Sequence, residues 1–219
     1  MVRRENSQHR NTRPRRQPAS RVLIVSCGER TELDYFDGLR RSLKPPTVAL
    51  AVKPKKASPD QLVAYARKLR EQDPGGFDEV WCVMDVDHYD LEGAISAARE
   101  GGVVLAISNP CFEVWLLLHF VACASPFSNE KAVRDALRRH VPGYKKNNLD
   151  FAVFQPHVMD AIERAKNITP AHGQAHTNPS TGVWRLVEVV LDRDFRGGPG
   201  APATLTACLP LSTPVALPW

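Results

Sequence analysis

The sequence lacks any apolar run of the roughly 20 residues that a helix needs to cross a bilayer. Its arginine-rich beginning has none of the continuous apolar character of a secretory signal. Hydrophobic residues make up 43% of the 219 residues and charged residues 24%, which is ordinary for a globular protein. We therefore expect a cytoplasmic protein with one main hydrophobic core and no membrane contact. The oligomeric state stays open.

Cysteine is scarce and is not arranged for cross-linking or zinc binding. The five cysteines are odd in number, and no two of them have the C-x-x-C spacing. This pattern argues against a disulfide framework and against a zinc knuckle. We expect reduced thiols that pack in the core.

Excess positive charge is absent from the body of the chain. The net charge is +5, but residues 1–21 contain seven arginines and one acidic residue, so the rest of the chain carries a formal charge of about −1. The first 20 residues have too few apolar side chains to order themselves, and disordered arginine-rich arms commonly bind phosphate backbones. A solvated tail without a partner is the open alternative.

Short β-branched runs alternate with helical patterns between residues 21 and 107. The predicted strands are Arg21–Ser26, Thr47–Val52, Asp78–Met84 and Val103–Ile107. Three helices are predicted between these strands. The first is Thr31–Leu43, the second is capped by Ser58 and ended by Pro74, and the third is Leu91–Glu100. Strands and helices that alternate at this spacing form right-handed crossovers. The sequence therefore predicts an α/β fold with a mainly parallel sheet flanked by helices.

Only helical patterns follow residue 108. The predicted helices are Pro110–Val121, Asn129–His140, Ala152–Lys166 and Thr181–Asp194. We expect Asn109 and Pro110 to cap and start the first, and Asn178 or Ser180 to cap the last. The chain is thus divided into a disordered tail (1–20), an α/β core (21–125), a helical extension packed on that core (126–195) and a flexible tail rich in glycine, proline and alanine (196–219).

Acidic residues follow three of the predicted strands. The first strand leads into Glu29 and Glu32, the third into Asp85 and Asp87, and the fourth into Glu113. The carboxyl ends of parallel strands meet at one edge of a sheet, and carboxylates gathered there repel one another unless a divalent cation neutralises them. Mg²⁺ and Mn²⁺ prefer such oxygen ligands and can activate water for phosphodiester cleavage. A D-x-D pair can also cap a helix or face solvent, but its position after the most hydrophobic strand favours a metal site.

Other polar residues lie near the same predicted edge. Lys53, Lys55 and Lys56 follow the second strand, where they either contact a phosphate backbone or form a solvated basic loop. Glu113 lies in the first turn of a helix, where the helix dipole favours a carboxylate whatever its function. His119 lies on an almost entirely apolar helix, where a histidine is more often a hydrogen-bonded core residue than a catalyst.

Three blocks of sequence resemble the RloB/AbiLii family. They are V-S-C-G-E-R-T-E-L-D-Y-F (25–36), V-W-C-V-M-D-V-D (80–87) and S-N-P-C-F-E-V-W-L-L-L-H-F (108–120), of which the third is the most specific. The resemblance continues through 143–146 and 178–181, so that it covers roughly residues 21–195. Members of the family are similar to Toprim domains, the metal-binding fold of topoisomerases, primases and OLD-type nucleases. They are associated with phage defence, often beside a gene for an AAA-type or ABC-type ATPase.

The resemblance implies a Toprim-like, Rossmann-like sheet and assigns roles to individual residues. Asp85 and Asp87 match the D-x-D that holds the metal. Glu29, which shares the predicted edge with them, is the third expected ligand. Lys145 resembles a family lysine that could meet negative charge on a phosphate. Further site residues implied by the matching blocks are Glu113 as a catalytic group, Lys146 as a nucleic-acid contact, and Glu32 and His119 as possible supporting groups.

One position departs from the family pattern. Where the family usually has C-E-G-E-x-T-E, Cys27 occupies the position of the Toprim glutamate. A thiol is a poor ligand for Mg²⁺ and no substitute for a carboxylate base. Either Glu29 or Glu32 swings into the site, or catalysis is weakened or lost.

Two main hypotheses about function follow. One is a Mg²⁺- or Mn²⁺-dependent nuclease that cleaves DNA or RNA in anti-phage defence or abortive infection, with an AAA-type or ABC-type ATPase as its candidate partner. The other is a catalytically degenerate Toprim-like domain that binds nucleic acid, senses or regulates for such a partner. Phosphoryl transfer through an aspartyl intermediate also uses D-x-D, but its nucleophile normally follows the first strand rather than the third.

Overall fold

The computed structural model describes residues 20–28, 30–43, 48–86, 91–169 and 176–197. Within these ranges the strands are β1 (Ser20–Ser26), β2 (Val48–Pro54), β3 (Glu79–Asp85), β4 (Val104–Asn109) and β5 (Ser180–Thr181). They form one sheet in the order β2-β1-β3-β4-β5. The first four strands are parallel, and β5 is antiparallel to β4. The predicted α/β fold with a mostly parallel sheet flanked by helices is confirmed.

Helices cover both faces of the sheet. They are α1 (Thr31–Ser42), α2 (Pro59–Gln72), α3 (Glu92–Gly101), α4 (Glu113–Leu118), α5 (Glu130–His140), α6 (Val158–Ile168) and α7 (Val183–Gly197). Helices α2 and α3 pack on one face, and α1 packs with the helices that follow β4 on the other. In the part of the chain that the structure describes, no helix is both long enough and apolar enough to cross a membrane.

Local sequence signals explain where α2 and α3 begin and end. Ser58 caps α2 in a capping box with Gln61, and Pro59 occupies the first turn, as the sequence predicts. Helix α3 ends at Gly102, whose φ of 63° lies in the left-handed region that glycine adopts at little cost. The start of α2 and the end of α3 therefore determine where the loops next to these helices lie, on the face of the sheet opposite α1.

The larger hydrophobic cluster joins the sheet to helices from both halves of the chain. It contains Val22 and Val83 from the sheet together with Leu137 from α5, Ala161 from α6 and Val187 from α7, all of them buried. Residues before and after position 126 therefore share a continuous core. The predicted disordered tail (1–20) and C-terminal tail (196–219) lie largely outside the described residues.

Two predicted helices begin later than expected. Helix α4 starts at Glu113, not at Pro110, and Phe112 precedes it without a side-chain cap. Asn109 does not cap it, because it is the last residue of β4 and lies four positions before the first residue of α4. Likewise, α6 follows two short 3₁₀ turns (151–153 and 155–157), since Pro156 has no amide hydrogen to continue an α-helix.

Strand β5 and the start of α7 also differ from the prediction. Ser180 and Thr181 pair with β4, and the Thr181 hydroxyl accepts a hydrogen bond from the backbone N–H of Val183 at 3.3 Å. Asn178 does not cap α7, because its side chain bonds both the N–H and the carbonyl of Phe127, at 3.1 and 2.8 Å. A strand of two residues is too short to leave an alternating pattern in the sequence.

A cavity-forming substitution in α5 tests whether the shared core unfolds as one unit. Leu137 is fully buried, so we expect Leu137→Ala to lower the free energy of unfolding by about 2–5 kcal/mol. Urea unfolding followed by circular dichroism should show a single transition moved to lower urea. Arg138→Ala, at an exposed neighbouring position, should change the free energy by less than about 1 kcal/mol. A separate early transition confined to part of the helical signal would contradict a shared core.

Candidate functional site

The candidate site lies at the carboxyl ends of β1 and β3, where the strand order reverses. From β1 the chain passes through α1 to β2 on one side, and from β3 it passes through α3 to β4 on the other. Ligands of open α/β sheets commonly bind in the crevice at such a point. Backbone hydrogen bonds fix the exits of the strands, since Cys27 N–H donates to the Val83 carbonyl at 3.0 Å and Val86 N–H to the Ser108 carbonyl at 2.8 Å.

Three carboxylates from different elements act on one another at this edge. Asp85 ends β3, Glu32 lies in the first turn of α1, and Glu113 is the first residue of α4. Burial raises the pKa of Asp85 well above its usual value, and the charges of Glu32 and Glu113 raise it further. Burial also raises the pKa of Glu32, with a further contribution from Glu113. The site therefore concentrates negative charge where water screens it poorly.

Asp85 also carries an unsatisfied oxygen. The residue as a whole is partly buried, but its Oδ1 is shielded from solvent and has no hydrogen-bond partner among the described residues. The side chain lines a small pocket of about 90 Å³ together with Cys27 and Glu130. The rest of the lining is mostly apolar: Ala57, Pro59, Leu62 and Met84. A buried carboxylate oxygen without a partner is costly to maintain and is a common feature of functional sites.

Neighbouring residues hold the other two carboxylates in place. The carboxylate of Glu32 lies against Gly28, where a Cβ atom would come within 1.7 Å of Oε2. Glycine is thus required at position 28 for Glu32 to keep this conformation. Glu113 accepts a hydrogen bond at 3.2 Å from the hydroxyl of Tyr144, a residue that is itself buried.

The loop after α5 brings a lysine to the acidic site. The Asn147 N–H donates to the Thr31 hydroxyl at 3.2 Å and the Leu149 N–H to Asp34 Oδ2 at 3.4 Å, so the loop is tied to the start of α1. The positive charge of Lys146 lowers the pKa of both Asp85 and Glu32, although burial outweighs it. Lys146 is therefore the lysine whose charge reaches these carboxylates.

The remaining predicted lysines are on the surface. Lys145 is exposed, and its backbone forms an isolated antiparallel bridge with Asn148. Lys53, Lys55 and Lys56 are also exposed. The backbone N–H of Lys55 donates to the Ser26 carbonyl at 2.8 Å, which keeps this segment beside the end of β1.

Two predicted ligands lie outside the described residues. These are Glu29 and Asp87, so the structure gives no geometry for the complete D-x-D pair. Among the residues that are described, no three histidine, cysteine, aspartate or glutamate side chains already form a group that could hold a metal ion. Of the acidic residues that the sequence predicts for the site, the structure describes Glu32, Asp85 and Glu113.

Cys27 occupies the end of β1 as a neutral thiol. Burial raises its pKa to about 12, and the nearby charges of Asp85 and Glu32 contribute in the same direction. At neutral pH it therefore offers neither a thiolate nor a carboxylate to the pocket.

His119 is a core residue. It is fully buried, its Nδ1 lies 3.0 Å from the Trp115 carbonyl, and its Nε2 lies 3.2 Å from the Tyr35 hydroxyl. Burial lowers its pKa to about 4. Both ring nitrogens have partners in the core, so His119 supports the packing of α4 against α1.

Two residues of the site did not stand out in the sequence. Glu130, the first residue of α5, lines the pocket, and Tyr144 bonds Glu113. Glu130 is an acidic residue at the start of a helix. Such residues are common there because the helix dipole favours them, so its position in the sequence does not indicate a functional role. Tyr144 belongs to the block at 143–146, and the resemblance of that block to the family was the available signal.

The chain is thus an α/β protein with a buried acidic site at the carboxyl edge of its parallel sheet. A family model described as RloB-like protein matches residues 22–190, well over half of the chain. The protein belongs to this family, as the resemblance of the three sequence blocks predicts. No curated protein matches the sequence, and no solved structure matches it.

Removing the charge of Asp85 should stabilise the metal-free protein. Because burial and two nearby carboxylates raise the pKa of Asp85, its ionised form opposes folding at pH 7. We expect Asp85→Asn to raise the melting temperature by about 2 °C or more in the presence of a chelator. Glu163→Gln, at an exposed position on α6, should leave it nearly unchanged. A lower melting temperature for Asp85→Asn would show that the charge is compensated within the protein.

His119 should make folding sensitive to acid. The unfolded chain takes up a proton near the usual histidine pKa of 6.5, whereas the folded protein does so only near pH 4. Stability contributed by the neutral ring is complete above pH 6.5 and is lost as the pH falls toward 4, by up to about 3 kcal/mol. The stability difference between wild type and His119→Gln should shrink by about this amount between pH 7 and 4 in urea titrations. The exposed His176 changed to Gln should show no such trend.

Proposed function

We propose that the protein is a Toprim-like, metal-dependent nuclease that hydrolyses phosphodiester bonds of DNA or RNA in the cytoplasm during anti-phage defence. The observation that carries the proposal is the buried Oδ1 of Asp85, which has no partner among the described residues. Asp85 lines a small pocket, and the charges of Glu32 and Glu113 act on it. Such an arrangement suits a cation, because a bound positive charge relieves the repulsion without requiring the carboxylates to take up protons.

The donor set favours Mg²⁺ or Mn²⁺. Carboxylate oxygens are the ligands that these hard cations prefer, and the neutral Cys27 thiol does not compete for them. Asp85 would hold the ion together with Asp87 and Glu29, and Glu32, whose charge acts on Asp85, is a described carboxylate that could assist. A bound ion would supply neutralisation of the carboxylates and a water of lowered pKa.

The chain's own residues would bind and orient the nucleic acid around this ion. Lys145 and Lys146 would meet negative charge on the phosphate, and Lys53, Lys55 and Lys56 would contact the backbone farther along. Glu113, held by the hydroxyl of Tyr144, is fixed in orientation and would accept a proton or orient a water at the reacting phosphate.

Cys27 gives support to a second candidate function. The thiol replaces the glutamate that the family pattern has at the end of β1, and its raised pKa keeps it neutral. A site without this carboxylate suits a domain that binds nucleic acid and regulates an AAA-type or ABC-type ATPase partner without cleaving. The two functions differ in whether phosphodiester bonds are broken.

Cleavage assays on the full chain test the proposal. Single- and double-stranded DNA and RNA are incubated with Mg²⁺ or Mn²⁺, with and without an ATPase encoded next to the gene. We expect metal-dependent products, suppressed by a chelator and reduced about 100-fold or more in Asp85→Ala. Glu163→Gln serves as the matched surface control.

Two outcomes would decide against the nuclease. Absence of cleavage under every condition, including those with the ATPase, overturns it. Activity that appears only in Cys27→Glu favours the regulatory domain, because the missing carboxylate would then be the only defect.

A further inference from the structure

Helix α5 contributes a carboxylate to the same pocket that Cys27 and Asp85 line. Glu130 is the first residue of α5, 103 positions after Cys27 in the chain, and both side chains form walls of the 90 Å³ pocket. The charge of Glu130 also contributes to the raised pKa of Asp85, so the two carboxylates are within electrostatic reach of each other. The pocket thus has a thiol on the β1 side and a carboxylate on the α5 side.

The start of α5 is held firmly in place. Asn129 caps the helix by accepting a hydrogen bond from the Ala132 N–H at 2.9 Å. Val133 and Leu137 anchor the helix in the larger core cluster. On the preceding side, the Asn178 side chain bonds the backbone of Phe127. Because both sides are anchored, the position of Glu130 follows from the fold and does not depend on a mobile surface helix.

Two cations orient the Glu130 carboxylate without covering it. Arg134 Nη1 lies 2.8 Å from Oε2, and Lys146 Nζ lies 3.8 Å from the same oxygen. Oε1 takes part in neither ion pair. The side chain is about half exposed, so it can turn one oxygen toward the pocket while the other keeps its contact with Arg134.

The unpartnered oxygen of Asp85 is an independent sign of a missing ligand in this pocket. Its Oδ1 is shielded from solvent and finds no donor among the described residues. A divalent cation seated between Asp85 and Glu130 would satisfy this oxygen and remove the repulsion between the two carboxylates.

We infer that Glu130 supplies the carboxylate that Cys27 lacks, so that α5 contributes a ligand to the cation site. The inference rests on the proposed function. It specifies how the metal site can be complete although position 27 has a cysteine where the family pattern has a glutamate. Glu130 holds the cation as an oxygen ligand, and Arg134 and Lys146 orient it.

Direct measurement of Mn²⁺ binding tests this without relying on activity. Isothermal titration of Mn²⁺ into the full chain is compared for wild type, Asp85→Asn, Glu130→Gln and Glu163→Gln. We expect Asp85→Asn to abolish binding at the site, Glu130→Gln to weaken it about 10-fold or more, and Glu163→Gln to leave it unchanged. Circular dichroism at the titration temperature verifies that each variant is folded.

The variant Arg134→Gln tests whether Glu130 binds the cation itself or acts only through its ion pair with Arg134. This change breaks the contact with Glu130 but keeps the carboxylate, so Mn²⁺ affinity should stay the same or increase as the competing charge is removed. If Arg134→Gln weakens Mn²⁺ binding as much as Glu130→Gln does, Glu130 acts only through the ion pair and the inference is overturned.

A compensating change provides the most specific test. In Cys27→Glu/Glu130→Gln a carboxylate returns on the opposite wall of the same pocket, and Mn²⁺ affinity should recover to within about threefold of wild type. Failure of Cys27→Glu to recover any affinity in the Glu130→Gln background contradicts a shared ligand position.

If Asp85→Asn abolishes binding but Glu130→Gln does not change it, only this inference fails. If Asp85→Asn binds like wild type, the metal site of the proposed nuclease fails as well.

Discussion

Burial of like charges at the end of β3 is the constraint around which this protein is organised. Asp85 ends a strand whose other residues are almost wholly enclosed, and the carboxylates of Glu32 and Glu113 come from two helices on the same face of the sheet. Their repulsion opposes folding, so the surrounding core must hold α1 and α4 in place against it. That core extends from β1 to α7, and a site of this kind requires such a scaffold.

The sequence predicted the parts of the fold that depend on local pattern. Four parallel strands and the capped start of α2 at Ser58 follow from β-branched runs, helical spacing and capping residues, and they were found within a few positions of their predicted bounds. The meeting of Asp85, Glu32 and Glu113 followed from one further rule, the shared carboxyl edge of parallel strands.

What the sequence could not predict depends on contacts between distant segments. Asn109 pairs with Ser180 as part of β4, so α4 begins four residues after it, and the side chain of Asn178 bonds Phe127 and does not cap α7. Glu130 reaches the pocket only because α5 docks on the core, and no spacing along the chain records that docking. Local rules fail at these positions because contacts between distant segments decide where a strand ends and which partner a side chain binds.

The two-residue strand β5 has a consequence for how the protein is made. Ser108 Oγ lies 2.8 Å from Thr181 Oγ1, a contact between residues 73 positions apart at the carboxyl end of β4. Until Thr181 has left the ribosome, that margin of the sheet has exposed backbone groups able to pair with another chain. The nascent chain therefore passes through a period in which β4 is formed but its carboxyl end is not yet paired with β5, and crowded polysomes would be the place where this matters.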